Sequence, residues 1–180
     1  MTRVVIVPGI GGSGETHWQT SWEATLPGAV RIRPSSWDEP RLADWLRAID
    51  DVAPDTDTIL VAHSMGCLAV ATWLGANPGA VAGAFLVAPA DPDGPAYPDA
   101  AREFGVAGAP LGVPALVVAS TDDPYGSYAF AERAAQSWAA GIVSVGALGH
   151  VNADSGLGAW EDGAALFREF AGSLACAAVV

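Results

Sequence analysis

Ser64, Asp123 and His150 are the residues whose types and settings could do chemistry together. Ser64 is the centre of AHSMG (62–66), which follows the apolar run TILVA and precedes the helical CLAVATWLGA. Strand, sharp turn, helix is the setting in which a serine hydroxyl stands clear of a sheet above a helix N-terminus. Such a turn strains the backbone of its central residue and needs very small residues two places before and after. Gly66 meets the second need, and Ala62 puts one methyl where glycine is usual. A serine that only caps a helix would fit the same five residues, so its partners must decide.

A hydroxyl is a poor nucleophile until a base takes its proton. His17 comes too early for the chain order nucleophile, acid, base, and its role stays open. His63 adjoins Ser64, so its ring should point away and pack or hydrogen-bond beneath the turn. His150, in VSVGALGHVNADSG, follows the last expected strand and is the expected base. The orienting acid should end the strand before it, where ASTDDPYGS offers Asp122 and Asp123. Counting a small-x-x-Asp turn from Ser120 selects Asp123, with Asp122 the alternative and otherwise a capping or solvated neighbour.

A developing oxyanion needs two N–H donors. Met65, first residue after the serine, supplies one; the second should come from a loop after an early strand. PGIGGSG (8–14) is that loop, with Ile10 the expected donor and Gly11 the alternative. Gly9, Gly11 and Gly14 also spell G-x-G-x-x-G, the spacing of a dinucleotide turn. That reading lacks its acid: the second strand ends VRIRPSSW, where only Arg33 could meet a ribose phosphate. The fingerprint is therefore taken as incidental, and no cofactor or metal is expected.

Strands are expected at Val4–Val7, Val30–Arg33, Ile59–Ala62, Ala84–Ala88, Leu116–Ser120 and Ile142–Val145. Helices are expected at Arg41–Val52, Met65–Ala76, Tyr128–Ala139 and Glu161–Leu174. Continuous apolar strands alternating with helices predict a parallel sheet buried on both faces, with the site beyond the strands' C-terminal ends. The expected fold is a three-layer α/β domain over residues 1–174, a mostly parallel sheet of about six strands, followed by an apolar tail, 175–180. Pro89 to Pro114, rich in Pro, Gly and Asp, reads as a surface excursion or rudimentary lid. Among seven tryptophans, Trp18, Trp22 and Trp37 lie near loops at the active edge. Trp18 and Trp37 in particular are candidates for an apolar acyl pocket, with core packing the alternative.

The 180 residues suffice for one domain with a sizeable core. Net charge is −12 and all eight cations are Arg, which disfavours nucleic acid and anionic membrane surfaces as partners. No apolar run approaches the roughly 18 residues of a membrane span, and the start lacks the pattern of a secretion signal; a cytoplasmic protein is expected. Cys67 and Cys176 lack metal-ligand spacing and read as small hydrophobes.

On VPGIGGSGETHWQTSWE, SSWDEP, AHSMGCLAVATWL, FLVAPADPDGP, ASTDDPYGS and GHVNADSGLGAWEDG, nearly the whole chain resembles the small single-domain serine hydrolases related to retinoblastoma-binding protein 9, specifically their bacterial branch. The resemblance implies an α/β-hydrolase core with a minimal cap and a catalytic triad of Ser64, Asp123 and His150. Its closing motif also suggests that Asn152 and Ser155 brace the His150 loop. The expected activity is esterase-like hydrolysis of a small-molecule ester, thioester or amide by a monomer or homodimer. The rival is a protein-interaction module on a hydrolase scaffold.

Overall fold

The computed structural model describes residues 2–177. Six strands, β1 (Arg3–Val7), β2 (Val30–Arg31), β3 (Thr58–His63), β4 (Gly83–Val87), β5 (Ala115–Ala119) and β6 (Gly141–Ser144), form one sheet in the order β2-β1-β3-β4-β5-β6. Every neighbouring pair is parallel. The sequence order reverses at β1, so the chain winds out from the centre in both directions, and the C-terminal ends of β1, β3, β5 and β6 open toward one edge.

Residues alternate across the sheet with the strand period of two. Val5, Val7, Leu60, Ala62, Leu86 and Val117 face a core closed by the helices α2 (Leu42–Asp51), α3 (Met65–Ala76) and α4 (Tyr128–Trp138). Val4, Ile6, Ile59, Val61, Phe85 and Val87 face the opposite core, closed by α1 (Trp18–Thr25) and α5 (Glu161–Ala177). Both faces of β3 are buried along its whole length, which is why TILVA carries no polar alternation. The result is a three-layer α/β fold.

Helix α1 was not among the expected elements. Its apolar stripe is only Trp18 and Trp22, continued by Leu26, and its N-cap is His17, an unusual cap residue. The second strand is shorter than expected. Ile32 N–H still reaches the Ile6 carbonyl at 3.1 Å, but Pro34 has no N–H to extend the ladder. At the other end α5 continues through the first residues of the expected tail. The side chain of Cys176 and residues 178–180 lie outside the described residues.

Between β4 and β5 the excursion contains one 3-10 turn, Asp99–Ala101. It is anchored by burying Ala101, Phe104 and Leu111 in the α2–α4 core. The Tyr97 hydroxyl is also tied to the carbonyls of Ala101 and Phe104, at 3.1 and 3.0 Å. It is a packed shoulder beside the sheet's open edge rather than a separate domain.

Gly66 is where α3 crosses closest to β1: a Cβ there would lie 2.3 Å from the Pro8 carbonyl oxygen and 2.4 Å from that of Val7. No side chain can yield, because both obstacles are backbone. Gly66→Ala should therefore destabilise the fold by about 3 kcal/mol, read as a shift of the urea midpoint; a variant as stable as the parent would contradict this packing.

Candidate active site

Strand β3 runs into α3 through Ser64, whose backbone takes φ 56° and ψ −127°. Positive φ at a residue with a Cβ is uncommon and persists only where the surroundings impose it. Here they do: Ser64 N–H is held by the Val87 carbonyl at 3.0 Å, and the absent side chain of Gly66 lets α3 start directly under β1. The turn lifts the Ser64 hydroxyl out of the sheet and leaves Met65 as the first residue of α3, so its N–H has no intrahelical acceptor.

The other two predicted residues converge on that hydroxyl. His150 Nε2 lies 2.8 Å from Ser64 Oγ, and His150 Nδ1 lies 2.9 and 2.8 Å from the two carboxylate oxygens of Asp123. A carboxylate only accepts, so Nδ1 carries the ring proton and the Nε2 lone pair receives the Ser64 O–H. His150 and Asp123 are both buried. Asp123 is steadied by the Tyr125 N–H at 2.8 Å, and the Tyr125 ring lies against His150 with centroids 4.6 Å apart.

The loop bearing His150 is gripped through its backbone, and most of this grip was invisible in the sequence. Leu148 N–H donates to Ser120 Oγ at 3.0 Å and Leu148 O accepts from Ser155 Oγ at 2.6 Å. Gly149 N–H donates to Asp122 Oδ1 at 2.7 Å, an oxygen that also accepts the Ser120 hydroxyl. His63 Nε2–H donates to the His150 carbonyl at 2.9 Å, and the Trp18 indole N–H to that of Val151 at 2.8 Å. Val151 itself sits at φ 50°, an outlier for a β-branched residue that this grip must hold. Asn152 accepts from Asp154 N–H at 3.0 Å and its own N–H reaches Ser155 Oγ at 3.2 Å, closing a capping box behind the loop.

Facing the corner, Gly9 to Gly14 form the glycine loop. Gly11 N–H, the alternative donor, is engaged by the Trp37 carbonyl at 3.2 Å, and Gly12 N–H by Gly9 O at 3.1 Å. Ile10 opens this 3-10 turn and lines the cavity over Ser64. Arg31 on β2 holds the loop's carbonyls: its guanidinium donates to Gly12 O, and to Ser13 O at 2.9 Å, while pairing with Glu23 at 2.8 Å. Gln19 bridges inward, accepting from Ser13 Oγ at 2.6 Å and donating to Val61 O at 3.1 Å.

A cavity of about 480 Å³ opens over Ser64. Ile10, Met65 and Tyr125 form part of its wall, with Ala96 and Pro98 from the excursion, and His17 and His63 at its side. Trp18 and Trp37 do not line it, contrary to expectation. Trp18 is 1% exposed, packed against Trp22 and Trp160 in the α1–α5 core. Trp37 lies beneath Gly12, where a Cβ would come within 2.8 Å of its ring, and stands edge-on to Trp45. The Trp37 ring thus occupies the space a side chain at Gly12 would need.

The serine hydrolase family profile matches residues 4–169. The chain belongs to that family. Among solved structures it is similar to a YdeN-like hydrolase of Pectobacterium atrosepticum, with 36% identity, 97% of this chain and 92% of that one covered, and a TM-score of 0.85. The ydeN gene product of B. subtilis superposes with a TM-score of 0.81 at 24% identity, covering 94% of this chain and 98% of that one. A thermophilic esterase of Thermogutta terrifontis shares the fold, with a TM-score of 0.73 at 13% identity, covering 97% of this chain and 90% of that one. No curated protein matches the chain. Among the described residues, no helix is long and apolar enough to cross a membrane.

Two histidines of this serine hydrolase are held neutral. Burial, followed by the charge of Arg31 and then of His150, pulls His17 down to about 4. Burial, followed by repulsion from His150 and His17, pushes His63 well below the ordinary histidine value. In the unfolded chain both take protons near about pH 6.5, which the folded state refuses. Their contribution to stability is therefore complete above that pH and is lost as pH falls from it toward the folded value. The melting temperature should drop between about pH 7 and pH 5, and His17→Asn should flatten the drop; a melting temperature that rises on acidification through this range would contradict the assignment.

Proposed function

We propose that the chain hydrolyses small carboxylic esters, or related thioester or amide acyl groups, through an acyl-enzyme on Ser64. The single observation that supports this best is the unbroken run from Ser64 Oγ through His150 to Asp123, with contacts of 2.8 Å to the hydroxyl and 2.8 Å to the nearer carboxylate oxygen. As Ser64 attacks the substrate carbonyl carbon, His150 Nε2 takes its proton, and Asp123 holds the ring and stabilises the imidazolium. The carbonyl oxygen, now negative, is received by the N–H groups of Met65 and Ile10, each worth about 3 kcal/mol of barrier. His150 then passes its proton to the leaving group as the carbon–oxygen, carbon–sulfur or carbon–nitrogen bond breaks. Water, deprotonated by His150 in turn, attacks the acyl carbon and releases Ser64.

Tyr125 fits this cycle. Its ring, against one face of His150, offers the imidazolium a π surface when the charge forms. Nothing in the cycle calls for a metal or organic cofactor. With the cap reduced to the shoulder of the excursion, the cavity suits short acyl chains.

Two measurements test the proposal. A fluorophosphonate probe should label Ser64, Ser64→Ala should abolish labelling, and Asp123→Asn should slow hydrolysis by about 10⁴-fold. Folded wild-type protein that remains unlabelled would contradict the reading. Across para-nitrophenyl esters of increasing length, acetate and butyrate should turn over faster than long-chain esters, and the reverse order would rule out the short-acyl preference.

A further inference from the structure

We propose that Tyr125 selects the leaving group: its ring forms a subsite for an uncharged aryl or arylmethyl alcohol, so that the preferred substrates are aromatic esters of short acids. This rests on the Ser64 reading above and adds the alcohol half of the substrate, which the triad alone leaves open. Tyr125 follows Asp123 by two residues, and its backbone is held from both sides. Its N–H donates to Asp123 Oδ1 at 2.8 Å, and its carbonyl accepts from Asp91 N–H at 2.8 Å. The adjoining Gly126 packs so closely on the excursion that a Cβ there would lie 2.2 Å from the Pro89 carbonyl oxygen. The ring therefore stands on a fixed stem, and a ligand that stacks on it has little main chain left to order.

Fixed as it is, Tyr125 is 40% exposed, the most open of the large hydrophobic residues among the described residues, and it lines the cavity over Ser64. Its main-chain polar groups are engaged, so what remains open is the ring. Part of that ring rests on His150; the rest is an aromatic surface offered to the cavity.

Contact with the base gives this surface to the leaving group. In the proposed cycle the departing oxygen takes its proton from His150 Nε2, so it lies within hydrogen-bond reach of that atom. Tyr125 touches the same imidazole directly, with ring centroids 4.6 Å apart. A ring carried on the departing oxygen, or one carbon beyond it, therefore comes within reach of Tyr125. Of the two tyrosines in the cavity wall only this one packs on His150; Tyr97 is tied by its hydroxyl into the excursion. Charge decides the kind of ring. No arginine lines the cavity and the chain carries a net −12, so an anionic alcohol would meet repulsion without a counter-ion. A cationic one would crowd the imidazolium at the π surface they share, and like charges so close repel. An uncharged aromatic ring meets neither penalty and gains an offset or edge-on pair.

The test compares benzyl acetate with cyclohexylmethyl acetate, which share the acyl group, the number of heavy atoms and the one-carbon spacer. Each kcat/KM is divided by the ester's own hydroxide-catalysed rate. The saturated ester is the more apolar, so burial alone would favour it. The wild type should instead favour benzyl acetate by about fivefold, the worth of one aromatic pair. Tyr125→Phe should keep that ratio, and Tyr125→Leu should bring it to one or below, whatever their absolute rates. A wild-type ratio of one or less, or a benzyl preference that survives in Tyr125→Leu, overturns the proposal.

Binding without turnover separates failure of this subsite from failure of the hydrolase reading, and stands even if Tyr125→Leu does not fold. Wild-type protein labelled with carbon-13 in its tyrosine rings is titrated with N-benzylacetamide and, separately, N-(cyclohexylmethyl)acetamide. Nuclear Overhauser contacts between the benzyl ring and the Tyr125 ring, with tighter binding than the saturated amide, uphold the subsite even if neither ester is hydrolysed. Equal affinities, or no contact with the Tyr125 ring, overturn it even if both esters are hydrolysed.

Discussion

The contact between Ser64 Oγ and His150 Nε2 joins residues 86 positions apart at 2.8 Å, and the rest of the molecule is arranged around making it short. One partner stands on a corner that ordinary backbone avoids; the other sits in a loop with little regular structure. Neither position is stable by itself. The corner is imposed by β1 and α3 closing on each other over Gly66, and the parallel sheet brings the ends of β3, β5 and β6 to the same edge, so that Ser64, Asp123 and His150 need only short extensions to meet. A fold with strands running the other way would scatter them.

The main-chain donors proposed at Ile10 and Met65 are useful only if they do not have to reorganise when charge appears. The glycine loop is soft in composition, yet Arg31 holds two of its carbonyls, and Gln19 and Trp37 hold one further group each. Its flexibility is used to reach an unusual conformation and is then removed by fastening. The same pattern recurs beside His150: Val151 in the left-handed region is tolerated because its carbonyl is pinned by Trp18 and its own N–H by Leu148.

Strand positions were legible because a sheet buried on both faces leaves long runs of β-branched and apolar residues, as in VVIV and TILVA. The corner at Ser64 was legible because only small residues fit around it, and Asp123 could be separated from Asp122 by counting from the strand end. What could not be read depended on contacts between distant segments. Trp37 engages Gly11 through a backbone carbonyl, which no side-chain pattern reports. Asp122 is tied to Gly149, 27 residues away, by the same kind of bond. Trp18 carried no sign of which way its ring would turn, and α1 offered too narrow an apolar stripe to stand out against the glycine loop before it.

The clasp on the His150 loop has an evolutionary corollary. Ser120, Asp122, Ser155, His63 and Trp18 all grasp peptide groups of residues 148–151 rather than their side chains. Within the segment leading to His150, Ala147 can therefore drift in spelling, whereas Gly149 at φ 57° and Leu148 against the α1–α5 core cannot. In this lineage purifying selection should fall hardest on residues scattered over β3, the turn after β5, α1 and the 153–155 turn, and only lightly on Ala147.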